Sequence, residues 1–232
     1  MQRFQIFWHN LQQDLKIFLY FTILFSVFRL IFIGIFNTYL SDCTMQDILL
    51  CQWYGFRLSL KTAGMIALIG GVLATLPQIG FIKWPSEIIR KIWSALMVLI
   101  FTIAFFARIP YFEIFNSGFN IMLINGVHDD WGAILDTAIN EYGLLWRLPL
   151  AFLMTGILIW LLLKFLNIKT RPAKITNSRQ LFFAVVRVII VLPIFFVFVR
   201  YGGAFNYANS INFESAERLK SAFLNEAILD DG

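Results

Sequence analysis

The sequence is poor in charge, in cysteine and in histidine. Charged residues make up 14% of the 232 residues, whereas a typical soluble domain has about 25%. Two cysteines, Cys43 and Cys51, are too few for a disulfide framework. His9 and His128 are the two histidines, and one His128–Asp129 pair is a weak signal for a metal site. Hydrophobic residues, by contrast, make up 59% of the chain, so we predict an integral membrane protein.

Five apolar segments are long enough to cross a bilayer, whose hydrocarbon core needs about 20 apolar residues per helix. We therefore predict an all-α, polytopic membrane protein with five transmembrane helices. The predicted spans cover residues 15–36, 62–82, 92–109, 145–166 and 180–199. The first segment is too long for a cleavable signal peptide and is followed by NTYLSD rather than by a small-residue cleavage site. We expect it to stay as a signal anchor.

The distribution of charge predicts the orientation of these spans. With the N-terminus in the cytoplasm, the inner segments hold ten Lys or Arg against two acids, and the outer segments hold seven against twelve. Such a bias places the basic loops in the cytoplasm, and an odd number of spans then puts the C-terminus outside. We interpret the net charge of +5 as an orientation signal rather than as a nucleic-acid-binding surface.

The longest outer loop, residues 110–144, begins with an aromatic stretch. We expect Pro110 to end the third helix near the interface, and four rings to form an interfacial aromatic belt: Tyr111, Phe112, Phe115 and Phe119. Residues 133–142 have the apolar spacing of an amphipathic helix, which we expect to lie on the outer leaflet. A substrate or metal role for the acids beside it remains the alternative; these are Asp129, Asp130, Asp136 and Glu141.

Four arginines are candidates for binding a lipid headgroup. Arg29 lies within the first span, where a charge costs about 2.5 kcal/mol or more, so backbone carbonyls, hydroxyls or a lipid phosphate must contact it. Arg57, Arg108 and Arg147 lie near the outer interface, where they either bind a phosphate or extend to water. Gly70 and Gly71, with Ala63, Ala67 and Ala74, indicate a close contact between helices.

Several motifs resemble one known family. The run RIPYFEIFNSGFNIMLINGVHDDWGAILDTAINEY, the entry YGFRLSLKTAG into the second span, FRLIF in the first span, and the tail YGGAFNYANSINFES are similar to the membrane domain of lipoteichoic acid synthase-like transferases of the sulfatase superfamily. The matching residues are Gly55, Arg57, Tyr111, Phe112, Phe119, Asn120, Asp129, Asp130, Ile139, Glu141 and Tyr142. Ser59 and Gly118 depart from the family, which has an acid and a basic residue there.

The resemblance implies a membrane anchor in a bacterial plasma membrane. Family members continue into an extracytoplasmic catalytic domain with a Thr nucleophile and a divalent metal, manganese or zinc, that transfers phosphoglycerol or phosphoethanolamine from phospholipids. The expected organisation is a transmembrane domain at 1–200 and a linker to that absent domain at 201–232. The chain alone is then not an enzyme and holds no cofactor; its partners are a membrane phospholipid and the catalytic domain. The alternative is a self-standing small transporter or lipid-binding protein.

Overall fold

The computed structural model describes residues 2–80, 84–119, 139–140, 143–212, 215–216 and 218–229. These residues form helices, turns and irregular segments, without a strand in the described ranges. The long helices are α1 (Gln2–Ile35), α2 (Met45–Gly80), α3 (Ser86–Phe115), α4 (Leu144–Leu166) and α5 (Ser178–Arg200). Short helical turns cover Asn37–Leu40 and Tyr207–Asn209, and a final helix, α6, covers Ala222–Ile228.

The five predicted spans are confirmed as helices long and apolar enough to cross a membrane, but the first three are much longer than predicted. The 34 residues of α1 extend about 51 Å, well beyond a hydrocarbon core of about 30 Å. Helix α2 begins at Met45, within the segment between the first and second predicted spans, which was predicted as an outer loop. Thr44 and Asp47 form a capping box there, in which the Thr44 N–H donates to Asp47 Oδ2 (2.9 Å) and the Asp47 N–H to Thr44 Oγ1 (3.3 Å).

Pro110 does not end the third helix, so that prediction was wrong. Helix α3 continues through Pro110 and ends at Phe115, where Asn116 takes a left-handed conformation (φ 49°) and donates its N–H to the Phe112 carbonyl. The helix persists because Tyr111 and Phe112, just after the proline, are both buried. Packing of that turn outweighs the one backbone hydrogen bond that proline removes. The predicted amphipathic helix at 133–142 lies outside the described residues, apart from 139–140.

Helix α1 is the centre of the bundle. Its buried residues recur every three or four positions and include Ile17, Phe21, Phe25, Phe28 and Phe32, each at most 5% exposed. This spacing places them on one helical face. Rings from α3 pack against them: Phe101 lies 4.8 Å from Phe25 and Phe105 lies 4.4 Å from Phe28. Helix α5 is peripheral, since Val199 is its only buried residue.

Small residues on α2 let its neighbours approach closely, as predicted from the glycine and alanine spacing. A Cβ at Gly70 would lie 3.0 Å from Trp93 of α3, and one at Gly71 would lie 3.3 Å from Asp14 of α1. A Cβ at Gly64 would lie 2.2 Å from Val199 of α5. Helices α1, α3 and α5 thus pack closely against α2 at its glycines.

A polar triangle joins α1, α2 and α3 near the N-terminus of α1. Arg90 donates from Nε to Asp14 Oδ1 (2.8 Å) and from Nη2 to Thr75 Oγ1 (2.9 Å). The Thr75 hydroxyl donates in turn to Asp14 Oδ2. The side chains of Arg90 and Asp14 are only 3% and 12% exposed. The triangle is therefore a buried ion pair in which each of the three side chains hydrogen-bonds to the other two.

We expect Asp14→Ala to destabilise the bundle by about 3 kcal/mol, because it leaves the buried Arg90 charge without its carboxylate. Glu87→Ala is the matched control, since it removes a carboxylate that is 73% exposed and pairs with Lys91 at 2.8 Å. Loss of such an exposed pair costs about 0.5 kcal/mol or less. Unfolding in mixed micelles, titrated with SDS, measures both variants. Equal destabilisation by the two substitutions would contradict the prediction.

Candidate functional site at the tail end of the bundle

The tail, residues 201–229, turns back onto the bundle after α5. Gly202 and Gly203 have positive φ angles of 60° and 77°, a region that glycine enters without a steric penalty. A Cβ at Gly202 would also lie 2.8 Å from the carbonyl oxygen of Arg57. The chain therefore reverses tightly against α2, and α6 comes to lie beside α1 and α2 at what we call the tail end of the bundle.

Phe223 of α6 enters a cage of aromatic rings. Its ring lies 5.8 Å from Phe32, 5.7 Å from Phe112 and 5.4 Å from Tyr39, centroid to centroid. Leu224, Ala227 and Ile228 are fully buried beside it. Burial of a Phe, a Leu and an Ile stabilises such a contact by about 1.5–3 kcal/mol per side chain, so α6 is part of the core.

Arg29 is buried beneath α6. Its Nε donates to the Ala227 carbonyl at 3.0 Å, and its Nη2 donates to Ser59 Oγ at 3.0 Å. Ser59 donates onward to the Gly55 carbonyl at 2.9 Å. A Cβ at Gly55 would lie 2.1 Å from Arg29 Cζ. Gly55 thus leaves the space that the guanidinium occupies, and Ser59 supplies a neutral acceptor at the position where the resemblance leads one to expect an acid.

Arg108 approaches the same end of α6 from α3. Its guanidinium lies over the Phe32 ring at 4.6 Å and donates to the Glu226 carbonyl. The Glu226 carboxylate accepts from the Gly118 N–H at 2.7 Å. Glu226 and Ala227 belong to the last turn of α6, where carbonyls have no partner within the helix and the helix dipole is negative. Two buried arginines therefore bind the C-terminal end of one short helix.

Arg57 and Arg147, the other headgroup candidates, contact different partners. Arg57 donates from Nε to the Gly202 carbonyl at 2.7 Å and lines an open pocket of about 520 Å³ with Arg218. Arg147 pairs with Glu113 at 3.1 Å and lies over the Trp146 ring at 5.3 Å. The four arginines do not form one phosphate cradle in the described structure. Of the four, Arg57 lines an open pocket, whereas Arg29 and Arg108 are buried.

The residues of the outer loop that resemble the family are described only in part. Tyr111 is buried and lies 4.6 Å from Phe115 and 5.1 Å from Phe119, ring to ring. Phe112 was wrongly assigned to the interfacial belt, because it is 1% exposed and lies in the cage of Phe223. The remaining predicted residues lie outside the described residues; they are Asn120, Asp129, Asp130, Glu141 and Tyr142.

Sequence reasoning missed α6, although a signal was present. Phe223, Leu224, Ala227 and Ile228 have the i, i+1, i+4, i+5 spacing of an apolar helical face. Ser221 stands directly before them and caps the helix, accepting the Leu224 N–H at 3.3 Å. The resemblance to the transferase family, whose members continue into a further domain, led to the interpretation of the tail as a linker.

The two cysteines are free thiols with different surroundings. Cys51 is fully buried and donates from Sγ to the Leu224 carbonyl at 3.3 Å, whereas Cys43 is half-buried. No three His, Cys, Asp or Glu side chains cluster as metal ligands in the part of the chain that the structure describes. In the described site, Arg29, Arg57 and Arg108 each donate to a backbone carbonyl.

Comparisons of the chain with protein-family models, with curated proteins and with solved structures find no match.

We expect Gly55→Ala to destabilise the tail end by about 3 kcal/mol, because the new methyl group displaces Arg29 from its buried hydrogen bonds. Gly156→Ala in α4 is the matched control, since nothing lies within 4 Å of a Cβ at that position. We expect that control to be neutral or stabilising by up to about 1 kcal/mol. Thermal unfolding in detergent compares them, and a neutral Gly55→Ala would mean that Arg29 does not occupy this space.

Proposed function

We propose that this chain is a membrane anchor that holds its own tail rigidly at the extracytoplasmic end of five spans, as part of a sulfatase-family phosphotransferase acting on lipid headgroups. In this proposal the N-terminus is cytoplasmic, in a bacterial plasma membrane, and a metal-dependent catalytic domain follows the tail. The chain itself contributes position rather than catalysis. Holding a catalytic group close to a substrate that diffuses in the plane of the membrane raises the effective concentration of each.

The observation that carries the proposal is the docking of α6 by Arg29, Arg108 and the aromatic cage. A flexible linker would need neither a buried charge nor a buried Phe223. Burying two cations at one helix end is costly, so we infer that the contact is retained because it fixes the position of α6. A tail fixed in this way sets the distance and the direction in which any following domain leaves the membrane.

The open pocket beside the tail supports the lipid part of the proposal. Arg57 and Arg218 both line it, together with Trp53, which is 56% exposed. Both arginines already donate from Nε and Nη2 to backbone carbonyls, so they offer a phosphate their charge and their remaining donor hydrogens. Tryptophan is favoured at the membrane interface. A phospholipid headgroup beside the tail would therefore lie next to the point where the following domain begins.

A small transporter is the second candidate, and one observation favours it. Polar side chains gather near the N-terminus of α1, where Asn10 donates to Gln78 Oε1 and Ser86 donates to the same oxygen at 2.6 Å. They border a cavity of about 550 Å³ that also contains His9 and Glu87. From Ile17 to Ile33, however, the buried face of α1 is mostly apolar, with Thr22 and Arg29 as its buried polar residues. The polar groups therefore do not continue through the described bundle in this conformation.

The reading frame beyond the codon for Gly232 is the direct test of the proposed function. The proposal predicts a continuation that encodes an α/β domain with a Thr nucleophile and acidic metal ligands. It also predicts that the purified 232-residue chain releases no diacylglycerol from phosphatidylglycerol with manganese. Turnover by this chain that a chelator abolishes would contradict the anchor role, as would a stop codon with no such domain encoded nearby.

We expect Phe223→Ala to release the tail. The substitution empties the aromatic cage and removes burial worth about 3 kcal/mol or more, so the amides of 222–229 should exchange with solvent roughly 100-fold faster. Hydrogen-exchange mass spectrometry in detergent or nanodiscs measures this rate. Tyr207→Ala is the control within the same tail, because Tyr207 is 75% exposed. Unchanged exchange in the Phe223 variant would show that the cage does not hold the tail.

A further inference from the structure

The connection between α4 and α5 is tied along the first turns of α1. We call residues 168–176 the strap; they have no regular secondary structure. Gln5 donates to the Ala173 carbonyl at 2.6 Å and accepts from its N–H at 3.1 Å. Gln12 makes the same two-way contact with Arg171, at 2.8 Å and 3.0 Å. Each glutamine amide thus pairs with the strap backbone as a neighbouring strand would.

Further side chains from α1 complete the attachment. Trp8 Nε1 donates to the Arg171 carbonyl at 3.1 Å, and His9 Nδ1 hydrogen-bonds to Thr170 Oγ1 at 2.7 Å. Lys16 donates from Nζ to the Ile168 carbonyl. Positions 5, 9, 12 and 16 follow the i, i+4, i+7, i+11 spacing of one helical face. One polar stripe on α1 therefore binds the backbone of the strap over its first six residues.

The cationic side chains of the strap are left exposed by this arrangement. Lys169, Arg171 and Lys174 are exposed, and segment 164–179 contains no acid. Thr170 lies half-buried between the exposed Lys169 and Arg171 and is the one of the three that hydrogen-bonds to His9. In the part of the chain that the structure describes, none of these three cations pairs with a carboxylate.

The strap lies close to the membrane along its whole length. Helix α4 ends at Leu166 and α5 begins at Ser178, so no strap residue is more than six residues from a membrane-spanning helix. Basic side chains beside a span contribute about 1 kcal/mol each to attraction by anionic lipids. A loop that only marks orientation needs charge alone, whereas this loop also has a fixed backbone, which reduces the entropy lost on binding.

We propose that the strap is a binding site for anionic phospholipid headgroups, with Lys169 and Arg171 as its principal contacts and Lys174 at its edge. The ligand chemistry is a phosphodiester with net negative charge, such as phosphatidylglycerol. The site lies at the end of the bundle opposite the tail and does not depend on the proposed role of the tail. Because α1 holds the strap backbone in place, the cations are already positioned before the lipid binds.

Native mass spectrometry of the purified full chain in detergent, titrated with phosphatidylglycerol and with phosphatidylcholine, tests the proposal. We expect a preference for phosphatidylglycerol that K169Q/R171Q weakens about 30-fold and that 0.5 M ammonium acetate reduces. The matched control R200Q/K220Q also removes one exposed Arg and one exposed Lys, but at the tail end. It should change the preference by less than about twofold.

The variant Q5A/Q12A separates the fixed backbone from the charge. It keeps every cation but removes the amide pairs, so we expect it to weaken phosphatidylglycerol binding at least threefold. Unchanged binding in this variant or in K169Q/R171Q would overturn the proposal. An equal loss in R200Q/K220Q would overturn it as well, since only total charge would then matter. Tighter binding of an anionic oligonucleotide than of phosphatidylglycerol would assign the strap to a different ligand and would also overturn it.

Discussion

The guanidinium of Arg29 is the charge around which the tail end of the molecule is organised. It belongs to the helix at the centre of the bundle and is fully buried, so its hydrogen bonds must come from protein groups. Those groups come from two directions: Ser59 on α2 and the carbonyl of Ala227 on α6. The requirement to satisfy one charge thus ties the two ends of the described chain together across almost 200 positions.

The surrounding features follow from this constraint. Gly55 must lack a side chain because the guanidinium occupies its Cβ position. The tail must reverse after α5, which the positive φ angles of Gly202 and Gly203 allow. The buried Phe223 ring then stabilises the docked tail in addition to the hydrogen bonds of Arg29. Arg108 adds a second cation to the same helix end, where orphan carbonyls and the helix dipole favour positive charge.

Polar side chains near the N-terminus of α1 also attach other segments to this helix, here through an ion pair and through hydrogen bonds to a loop backbone. There the polar side chains lie in the first turns of α1, before the apolar core begins. They close an ion pair with Arg90 on one side and bind the backbone of the 168–176 strap on the other. Helix α1 therefore fastens one loop near its N-terminus and one tail helix near its C-terminus. A bundle whose α5 is peripheral keeps its shape through these polar attachments as well as through its core.

The sequence was a good guide to elements whose signal is local. Long apolar runs predicted the five spans, and the glycine and alanine spacing on α2 predicted its close contacts. For Arg29 we predicted carbonyls, hydroxyls or a lipid phosphate as partners, and the described structure shows a carbonyl and a hydroxyl among them. The choice among these needed the fold, because Ala227 is 198 positions away. The predictions that Pro110 ends α3 and that Phe112 lies in the interfacial belt failed for the same reason. Packing against residues distant in sequence decides both the length of the helix and the burial of the ring.

Native thiol reactivity is the measurement that tests the docked tail most directly. Cys51 lies buried beneath α6 with its sulfur against the Leu224 carbonyl, while Cys43, eight positions earlier, is half-buried. A water-soluble maleimide applied to the folded chain in membranes should label Cys43 and leave Cys51 unmodified. Truncation of the chain after Tyr201 should then expose Cys51 to the reagent. Equal labelling of the two cysteines in the intact chain would contradict the account, because the tail would not cover the bundle.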